Sequence, residues 1–313
     1  MRVIFMGTGE IGVPSLNLLL ADPQCEVVGV VTQPDKPAGR KQELQASAIK
    51  RLAAQRGVPV LQPVKMRAPE AVAEMVALRA DLIVVMAYGQ ILPKAVLDAA
   101  RLACLNLHAS LLPRWRGAAP IQAAIEAGDR SSGVTVMYMA EGLDTGDILL
   151  MHETPITDMD TGGTLHDRLA EVAAAALAEA LPLVAAGRAP RTPQDSALAN
   201  YAAKLSRENG LIDWRATPAQ IDRRIRAMNP WPAAHTLLPV AESTRQLKVF
   251  AGSPQDGIDG SPGEVLRADE QGLLVAAQGG AMLLREIQLE GKRRMNAGEF
   301  LRGHPITPGT VLG

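Results

Sequence analysis

The fold that we predict for this chain rests on residues 81–109, DLIVVMAYGQILPKAVLDAARLACLNLHA. The apolar run at its start indicates a strand, the segment PKAVLDAA indicates a helix, and LACLNLHA indicates a second strand. Strand-like and helical segments alternate in this way over the first two-thirds of the chain. This alternation predicts an α/β domain: a Rossmann-like, doubly wound, mostly parallel sheet with helices on both faces. Sheets of this kind bind ligands beyond the carboxyl ends of their strands.

The C-terminal third of the sequence has a different pattern. An Ala-rich helical segment ends near Gly187, and the residues after it contain prolines and little apolar periodicity. Beyond them, short apolar runs separated by tight turns indicate a small antiparallel β-barrel of the OB type. Thr217 and Gln220 form a capping-box pattern, which predicts the start of a helix. We therefore predict an α/β domain over 1–189, a linker over 190–206 and a β-barrel domain over 207–313.

Length, charge and cysteine content limit the class of protein. The chain has 313 residues, more than one domain usually holds, and a formal net charge of −1, so a polyanionic partner must be met by a local basic patch. Cys25 and Cys104 are its only cysteines, too few for a disulfide framework or a Cys-based zinc site. The N-terminus lacks a signal-peptide pattern, and no apolar run reaches the ~18 residues of a membrane span. We expect a cytoplasmic protein that does not bind a membrane.

A glycine motif after the first predicted strand resembles the dinucleotide-binding fingerprint, and it consists of Gly7, Gly9 and Gly12. That fingerprint requires an acidic residue at the end of the second strand, where it binds a ribose hydroxyl. Thr32 and Gln33 occupy this place, and Asp35 lies beyond it in a Pro-flanked loop. We therefore expect no NAD, and we interpret the glycines as the means by which a helix packs close to the first strand.

Two polar residues near the end of the strand LACLNLHA are candidates for catalysis. Residues two apart in a strand face the same side, so Asn106 and His108 should project together, with Leu105 and Leu107 buried opposite. A structural interpretation is equally compatible with this stretch alone, because a single histidine is often a hydrogen-bonded core residue and an asparagine often caps a turn.

A third polar group favours the catalytic interpretation. Asp144 and Asp147 lie in a Gly-rich loop between two apolar strands. An amide, an imidazole and a carboxylate on neighbouring loops can stabilise an oxyanion, polarise a carbonyl and transfer a proton. The sequence contains neither a nucleophile elbow nor an HExxH motif, and its five histidines lack the spacing of zinc ligands. We expect direct acyl transfer between two bound substrates and no metal.

Two segments carry a resemblance to a known family: NLHASLLPRWRGAAP, residues 106–120, and GVTVMYMAEGLDTGDIL, residues 133–149. Together they resemble the folate-dependent formyltransferases, which share N-x-H, then S-L-L-P, then a downstream aspartate. Three further segments narrow the resemblance to the branch that formylates methionyl initiator tRNA: TQPDKPAGRKQELQASAIK, YAAKLSRENGLIDW and AMNPWP. The resemblance covers essentially the whole chain. One departure is the turn Gly7–Ile11, which lacks a proline and an aromatic residue that the family usually has there.

The resemblance implies a formyltransferase fold, a 10-formyltetrahydrofolate donor and methionyl initiator tRNA as acceptor. It implies three catalytic residues, namely Asn106, His108 and Asp144. It implies a folate-contacting segment made of Ser110, Leu111, Leu112 and Pro113. On the tRNA side it implies a basic loop that contacts the acceptor stem, in which Arg40 matches the key arginine; Lys36 and Lys41 share this loop, and we add Lys204 as a further candidate. We expect the chain to act as a monomer.

Other functions remain open from the sequence. A sibling enzyme with the same three residues could formylate a small acceptor, either a ribonucleotide intermediate or an amino-sugar nucleotide. The basic loop argues against both, and the second domain argues against the first. A non-catalytic module that binds RNA or folate is a third alternative, which the intact set of three residues disfavours. Arg223, Arg224 and Arg226 could extend a phosphate-binding surface, or could equally form a solvated helix face.

Overall fold

The computed structural model describes residues 1–38, 43–240 and 243–313. Contacts divide the chain into two compact units. The first unit comprises Met1–Pro120, Ser131–Pro155 and His166–Ala202. The second unit comprises Ile121–Arg130, Ile156–Leu165 and Ala203–Gly313.

A seven-stranded sheet forms the centre of the first unit. In chain order, the strands up to Ala202 are β1 Arg2–Gly7, β2 Glu26–Val31, β3 Lys36–Ala38, β4 Glu43–Gln45, β5 Val60–Leu61, β6 Leu82–Met86, β7 Ala103–His108, β8 Arg116–Gly117, β9 Ser131–Tyr138, β10 Ile148–Pro155 and β11 Tyr201–Ala202. The strand order of the large sheet is β10-β9-β7-β6-β1-β2-β5. Strands β5, β2, β1, β6 and β7 pair in parallel, whereas β9 and β10 form an antiparallel edge beside β7.

Helices cover both faces of this sheet. In the first unit they are α1 Val13–Ala21, α2 Ala48–Gln55, α3 Pro69–Val76, α4 Lys94–Leu97 and the greater part of α6 Gly162–Ala185, whereas α5 Pro120–Ala127 belongs almost wholly to the second unit. On one face, Ile4, Ile83 and Val85 form a hydrophobic core with residues of α3 and α4, such as Met75 and Val96. Helices α1 and α2 pack together and each contacts β2. The arrangement is the doubly wound sheet that the alternating sequence predicts.

Close packing explains a glycine of the motif GTGEIG. A side chain at Gly12 would meet the Phe5 ring at 3.0 Å and Ile49 at 3.5 Å. The start of α1 therefore approaches β1 closely only because residue 12 has no Cβ atom. This supports the packing role that we expected for the motif.

The C-terminal part of the second unit, from Ala203 on, contains an antiparallel sheet with the helices α7 Pro218–Ala227 and α8 Ala297–Gly303. Its strands are β12 Ala234–Val240, β13 Ser243–Asp256, β14 Val265–Asp269, β15 Gly272–Ala277, β16 Gly280–Leu289 and β17 Met295–Asn296. The strand order is β12-β13-β16-β15-β14, with β17 paired to β16. Thr217 and Gln220 form the predicted capping box at the start of α7. Ile221, Ile225 and Met228 are buried in the core of this unit.

The predicted fold class is confirmed: a mostly parallel α/β sheet precedes a domain of antiparallel strands. The closure of these strands into an OB-type barrel and the three domain boundaries stay predictions. Two local expectations differ from the structure. The basic stretch that we expected to be a loop contains two short strands, β3 and β4, which pair in an antiparallel arrangement, and the helix expected over PKAVLDAA is limited to Lys94–Leu97.

Candidate active site

Strand β7 presents Asn106 and His108 on one face of the sheet, as its alternating pattern predicts. Both residues are buried, with 8% and 6% of their surfaces exposed, and Leu105 and Leu107 alternate with them at 0% and 2%. The strand lies between β6 and β9, so neither edge of β7 is open. The polar pair is therefore held on a strand whose backbone is fixed from both sides.

Asp144 lies beside Asn106 and His108 although it follows a different strand, β9. The sequence did not indicate how its loop approaches them. Strand β9 is antiparallel to β7, and its last residue, Tyr138, pairs with Leu105 in the middle of β7. The loop after β9 must therefore turn back toward the carboxyl end of β7. Asp144 lies in this loop with a φ of +50°, a left-handed conformation that a non-glycine residue seldom adopts.

The three predicted catalytic side chains lie together. Asn106 Nδ2 is 3.5 Å from Asp144 Oδ1, and His108 Nδ1 is 3.7 Å from Asp144 Oδ2. The backbone N–H of Gly117 donates to Asp144 Oδ2 at 2.8 Å. The carboxylate thus has a hydrogen bond from the main chain that fixes its position, while it faces an amide and an imidazole.

A hydrogen bond to a backbone carbonyl shows which ring nitrogen of His108 carries a proton. His108 Nε2 lies 2.9 Å from Trp115 O, and because a carbonyl oxygen only accepts, Nε2 carries the hydrogen of this bond. Nδ1 is then the ring nitrogen that faces Asp144. A proton on Nδ1 as well makes the ring an imidazolium.

The segment predicted to contact folate, Ser110–Pro113, is fixed mainly through Thr135 on β9. The Thr135 hydroxyl donates to Ser110 O at 2.7 Å and accepts from Leu112 N at 3.0 Å. The Ser110 hydroxyl donates to Arg114 O at 2.7 Å. Leu112 is buried with Met137 and Ile148, whereas Leu111 and Pro113 keep part of their surface exposed. A folate here would therefore meet aliphatic surface and main chain.

A group of polar residues around these loops has no recognisable pattern in the sequence. Gln194 donates to two carbonyl oxygens of the Asp144 loop, and Arg116 donates to the Gln194 amide oxygen. Asn200 Oδ1 accepts the backbone N–H of Trp115. Gln194 and Asn200 belong to the aperiodic, Pro-containing stretch that we predicted as a linker. Nothing in that stretch marks a polar residue as part of a site, because the partners are distant in the chain.

Two of the four residues that we predicted to contact tRNA lie in the part of the chain that the structure describes. Arg40 and Lys41 lie outside the described residues. Lys36 is exposed in the first unit, where its ammonium donates to Gln33 at 2.8 Å. Lys204 is exposed in the second unit. Lys50, from the same basic stretch as Lys36, is paired with Asp35 at 2.7 Å.

The three arginines of α7 make structural contacts in the second unit. Arg223 donates to Glu126 O at 3.1 Å, and Arg224 forms an ion pair with the Glu126 carboxylate at 2.6 Å. Arg226 is paired with Asp222 at 2.8 Å and also donates to Asp160 O. These contacts give the arginines a role in holding α5 and the loop before α6, without any need for a phosphate.

The part of the chain that the structure describes contains neither a metal-binding cluster nor a helix that could span a membrane. No group of three or more His, Cys, Asp or Glu side chains there is arranged to hold a metal ion. No helix within residues 1–38, 43–240 and 243–313 combines the length and the apolar character that a bilayer crossing requires.

Solved structures with the same fold include several formyltransferases. A sugar 3N-formyltransferase, WlaRD, superimposes with a TM-score of 0.67 at 18% identity, over 94% of this chain and 99% of that one. An N-formyltransferase from Helicobacter canadensis, in complex with folinic acid and dTDP-3-aminofucose, gives 0.67 at 18% identity, over 91% and 98%. HypX from Aquifex aeolicus in complex with tetrahydrofolic acid gives 0.63 at 19% identity, and this chain spans half of its length. At these identities the likeness is one of fold.

Family models and curated relatives are more specific. The formyl transferase model matches residues 1–181, and the model of the formyl transferase C-terminal domain matches residues 204–305. Methionyl-tRNA formyltransferase from Geotalea uraniireducens is 49% identical over 313 residues, which cover 100% of this chain and 98% of the relative. The enzyme of the same name from Pseudomonas fluorescens (strain SBW25) is 50% identical over 315 residues, with the same coverage. With both models matched and half of its residues shared with full-length relatives, the chain belongs to the formyl transferase family, among the methionyl-tRNA formyltransferases.

Proposed function

We propose that this protein transfers the formyl group of 10-formyltetrahydrofolate to the α-amino group of methionyl initiator tRNA, the step that prepares this tRNA for translation initiation. The observation that carries the proposal is the placement of Asn106 and His108 against Asp144, with separations of 3.5 and 3.7 Å. The identity to methionyl-tRNA formyltransferases over the whole chain supports the choice of substrates.

Asn106 and His108 stabilise the charge that develops on the formyl oxygen. When the amine attacks the formyl carbon, that oxygen becomes an oxyanion, which requires hydrogen-bond donors already in place. Asn106 Nδ2 carries two hydrogens, and one faces Asp144 while the other is available to substrate. His108 Nδ1 supplies the second donor when the ring is an imidazolium, because Nε2–H is already bound to Trp115 O.

Asp144 orients the two donors and handles the proton of the attacking amine. The amine loses a proton as its bond to the formyl carbon forms, and the leaving nitrogen of the folate gains one as its bond to that carbon breaks. The α-amino group of an aminoacyl ester is no more basic than a free one, with a pKa of ~7.7–8.0, so a strong base is unnecessary. A carboxylate beside the reacting atoms, directly or through a water, is enough to pass the proton.

The segment Ser110–Pro113 binds the folate in this proposal. Its backbone is fixed by Thr135, and its leucines and proline offer aliphatic surface to a flat heterocycle. The acceptor stem binds through the basic loop that carries Lys36, Arg40 and Lys41, with Lys204 as a further contact, because phosphate contacts of basic side chains dominate affinity for nucleic acids.

The wider setting follows from these substrates. We propose a cytoplasmic monomer with a catalytic domain over 1–189, a linker over 190–206 and a tRNA-contacting domain over 207–313. Residues 190–202 of this linker are part of the first compact unit, where Thr192 bridges to Ile148 and Tyr201 pairs with Arg116.

An amino-sugar nucleotide is the alternative acceptor. Two proteins with the same fold, WlaRD and the Helicobacter canadensis enzyme, are named as N-formyltransferases. The experiment therefore includes an amino-sugar acceptor beside the tRNA. Purified protein should be given labelled 10-formyltetrahydrofolate with either methionyl initiator tRNA or a dTDP-linked amino sugar, and the formylated product measured. Transfer to the tRNA is expected to be faster by about 10²-fold or more, the scale of discrimination that differential contacts with two substrates provide. Transfer to the sugar alone would replace this proposal.

A further inference from the structure

A segment after α6 lies across the two loops that carry the catalytic groups. We call it the strap, residues 191–202. At one end, Thr192 and Ile148 exchange backbone hydrogen bonds of 2.8 and 2.9 Å at the start of β10. At the other end, β11 pairs in parallel with β8. The strap thus contacts the loop of Asp144 and the loop of Trp115 within one compact unit.

Gln194 is the residue of the strap that joins these loops through its side chain. Its amide nitrogen donates to Asp144 O at 2.9 Å and to Gly146 O at 2.8 Å. Its amide oxygen accepts from Arg116 Nε at 3.1 Å and from Nη2 at 2.8 Å. An amide has two N–H donors and an oxygen with two lone pairs, so every hydrogen-bonding position of Gln194 is used.

The position of Arg116 makes this bridge relevant to catalysis. Its predecessor Trp115 provides the carbonyl that binds His108 Nε2, and its successor Gly117 provides the N–H that binds the Asp144 carboxylate. Arg116 itself is 2% exposed, so its guanidinium is fixed where Gln194 receives it. The bridge therefore links the backbone that orients both members of the His108–Asp144 pair to the backbone of Asp144 itself.

We propose that Gln194 is a positioning residue for the transfer reaction: it sets the separation of His108 from Asp144 by tying the Asp144 loop to Arg116. The inference rests on the catalytic roles given to His108 and Asp144 in the proposed function. An amide is the required group, because a carboxylate could not donate to Asp144 O and Gly146 O, and an ammonium could not accept from Arg116. Displacements of about 1 Å from productive geometry can cost about 10²-fold in rate.

The direct test is Gln194→Glu, which keeps the acceptor for Arg116 and removes the two donated hydrogen bonds. The full-length variant should lose about 10- to 10²-fold in kcat, while KM for folate donor and for methionyl-tRNA stays within about threefold, because binding surfaces are untouched. A second variant, Arg116→Met with Gln194→Met, removes both polar groups without leaving one of them unpaired, and should lose kcat to a similar extent. Ser196→Ala, at an exposed strap position, is the matched control and should behave like wild type.

Three results would overturn the inference. The first is wild-type kcat in both Gln194 variants. The second is a loss in Gln194→Glu alone, which would assign the effect to the added charge. The third comes from combining Gln194→Glu with Asp144→Asn in single-turnover assays: a further loss as large as in the single variant would mean that Gln194 acts independently of Asp144. Near-wild-type activity of Asp144→Asn alone would instead refute the proposed mechanism, and absence of transfer to methionyl-tRNA would refute the function.

Discussion

His108 Nδ1 lies 3.7 Å from Asp144 Oδ2, and a main-chain group holds each side chain in that relationship. Trp115 O accepts from the imidazole, and Gly117 N donates to the carboxylate. The two backbone groups are separated by one residue, so a single short turn orients both catalytic side chains. Preorganisation of this kind is what transition-state stabilisation by fixed donors requires.

Asp144→Asn should reduce kcat strongly without unfolding the protein. The amide oxygen can still accept from Gly117 N, so the loop is retained, but the charge and the proton-accepting capacity are lost. We expect a fall of at least about 10²-fold, the scale of general acid–base catalysis, with a melting temperature close to that of wild type. Rapid-quench formylation assays and thermal melts check this. A kcat within tenfold of wild type would contradict the role of Asp144.

Asn106→Ala should remove one oxyanion donor. The expected loss is about 10²–10³-fold in kcat, by analogy with other oxyanion holes. KM for methionyl-tRNA should change little, because the donor acts on charge that exists only in the transition state. Steady-state kinetics on both substrates measure the two parameters. An increase in KM with unchanged kcat would identify Asn106 as a ground-state binding residue.

Thr135→Val should weaken folate binding. The substitution keeps the shape of the side chain and removes the hydroxyl that bonds Ser110 O and Leu112 N, so buried polar groups of the folate-contacting segment lose a partner at a cost of about 1–3 kcal/mol each. Thr135→Ser retains the hydroxyl and serves as the matched control. Titration calorimetry with a folate analogue and thermal melts separate binding from stability. Equal folate affinity in the valine and serine variants would count against a role for Thr135 in this segment.

The two thiols should be unreactive in the folded protein. Burial, with a smaller contribution from Asp22, raises the pKa of Cys25 to about 11, and burial raises the pKa of Cys104 to about 12. Only the thiolate reacts with alkylating reagents, so both cysteines should stay largely unmodified by iodoacetamide at pH 8 and react after denaturation. Mass spectrometry of the native and denatured protein checks this. Rapid native labelling of either cysteine, or loss of activity on labelling, would be inconsistent with the structure.

The stabilisation by the ion pair Lys50–Asp35, next to the paired strands β3 and β4, should depend on pH in a defined direction. Hydrogen bonds from Lys50, then from Gln62, hold the pKa of Asp35 below its ordinary value. The folded state therefore releases this proton more readily than the unfolded state, so the stabilisation is present above the unfolded-state pKa and is lost as pH falls through the folded-state pKa. Lys50→Met should raise the pKa of Asp35 toward its ordinary value, which NMR titration of the carboxyl carbon measures. An unchanged titration would show that the ion pair does not form in solution.

The salt dependence of tRNA binding should distinguish basic residues that contact phosphates from those that do not. Arg40→Ala and Lys204→Ala should each lower the slope of log K against log salt by about 0.7–0.9, because each substitution removes one phosphate contact. Folate affinity should stay unchanged in both. Arg267→Ala is the control, because this exposed arginine is paired with Asp269 in the second unit and should not affect the slope. Unchanged slopes in the Arg40 and Lys204 variants would identify the basic loop as a solvated surface and would favour the amino-sugar acceptor.

The sequence alone determined the fold class and part of the candidate site. Strands and helices follow from local apolar periodicity, and this pattern places Asn106 and His108 on the same face because neighbouring side chains of a strand alternate. The capping box at Thr217 and the buried face of α7 are local in the same sense. Residue motifs were specific enough to identify the family, because they lie in continuous segments.

Only the tertiary structure decided how Asp144, Gln194 and the arginines of α7 are used. Asp144 reaches His108 because the loop after β9 turns back toward the carboxyl end of β7, since β9 is antiparallel to β7 and its last residue pairs with Leu105. The pairing direction of β9 is set by the whole sheet and not by its own sequence. Gln194 meets Arg116 because the strap crosses the site, which no local pattern in a Pro-containing stretch encodes. Arg224 is paired with Glu126, a residue nearly a hundred positions earlier in the chain. The position of Arg224 on the polar face of its helix therefore could not predict this partner. Local sequence fixes backbone conformation, whereas contacts between distant segments form only when the packed elements bring them together.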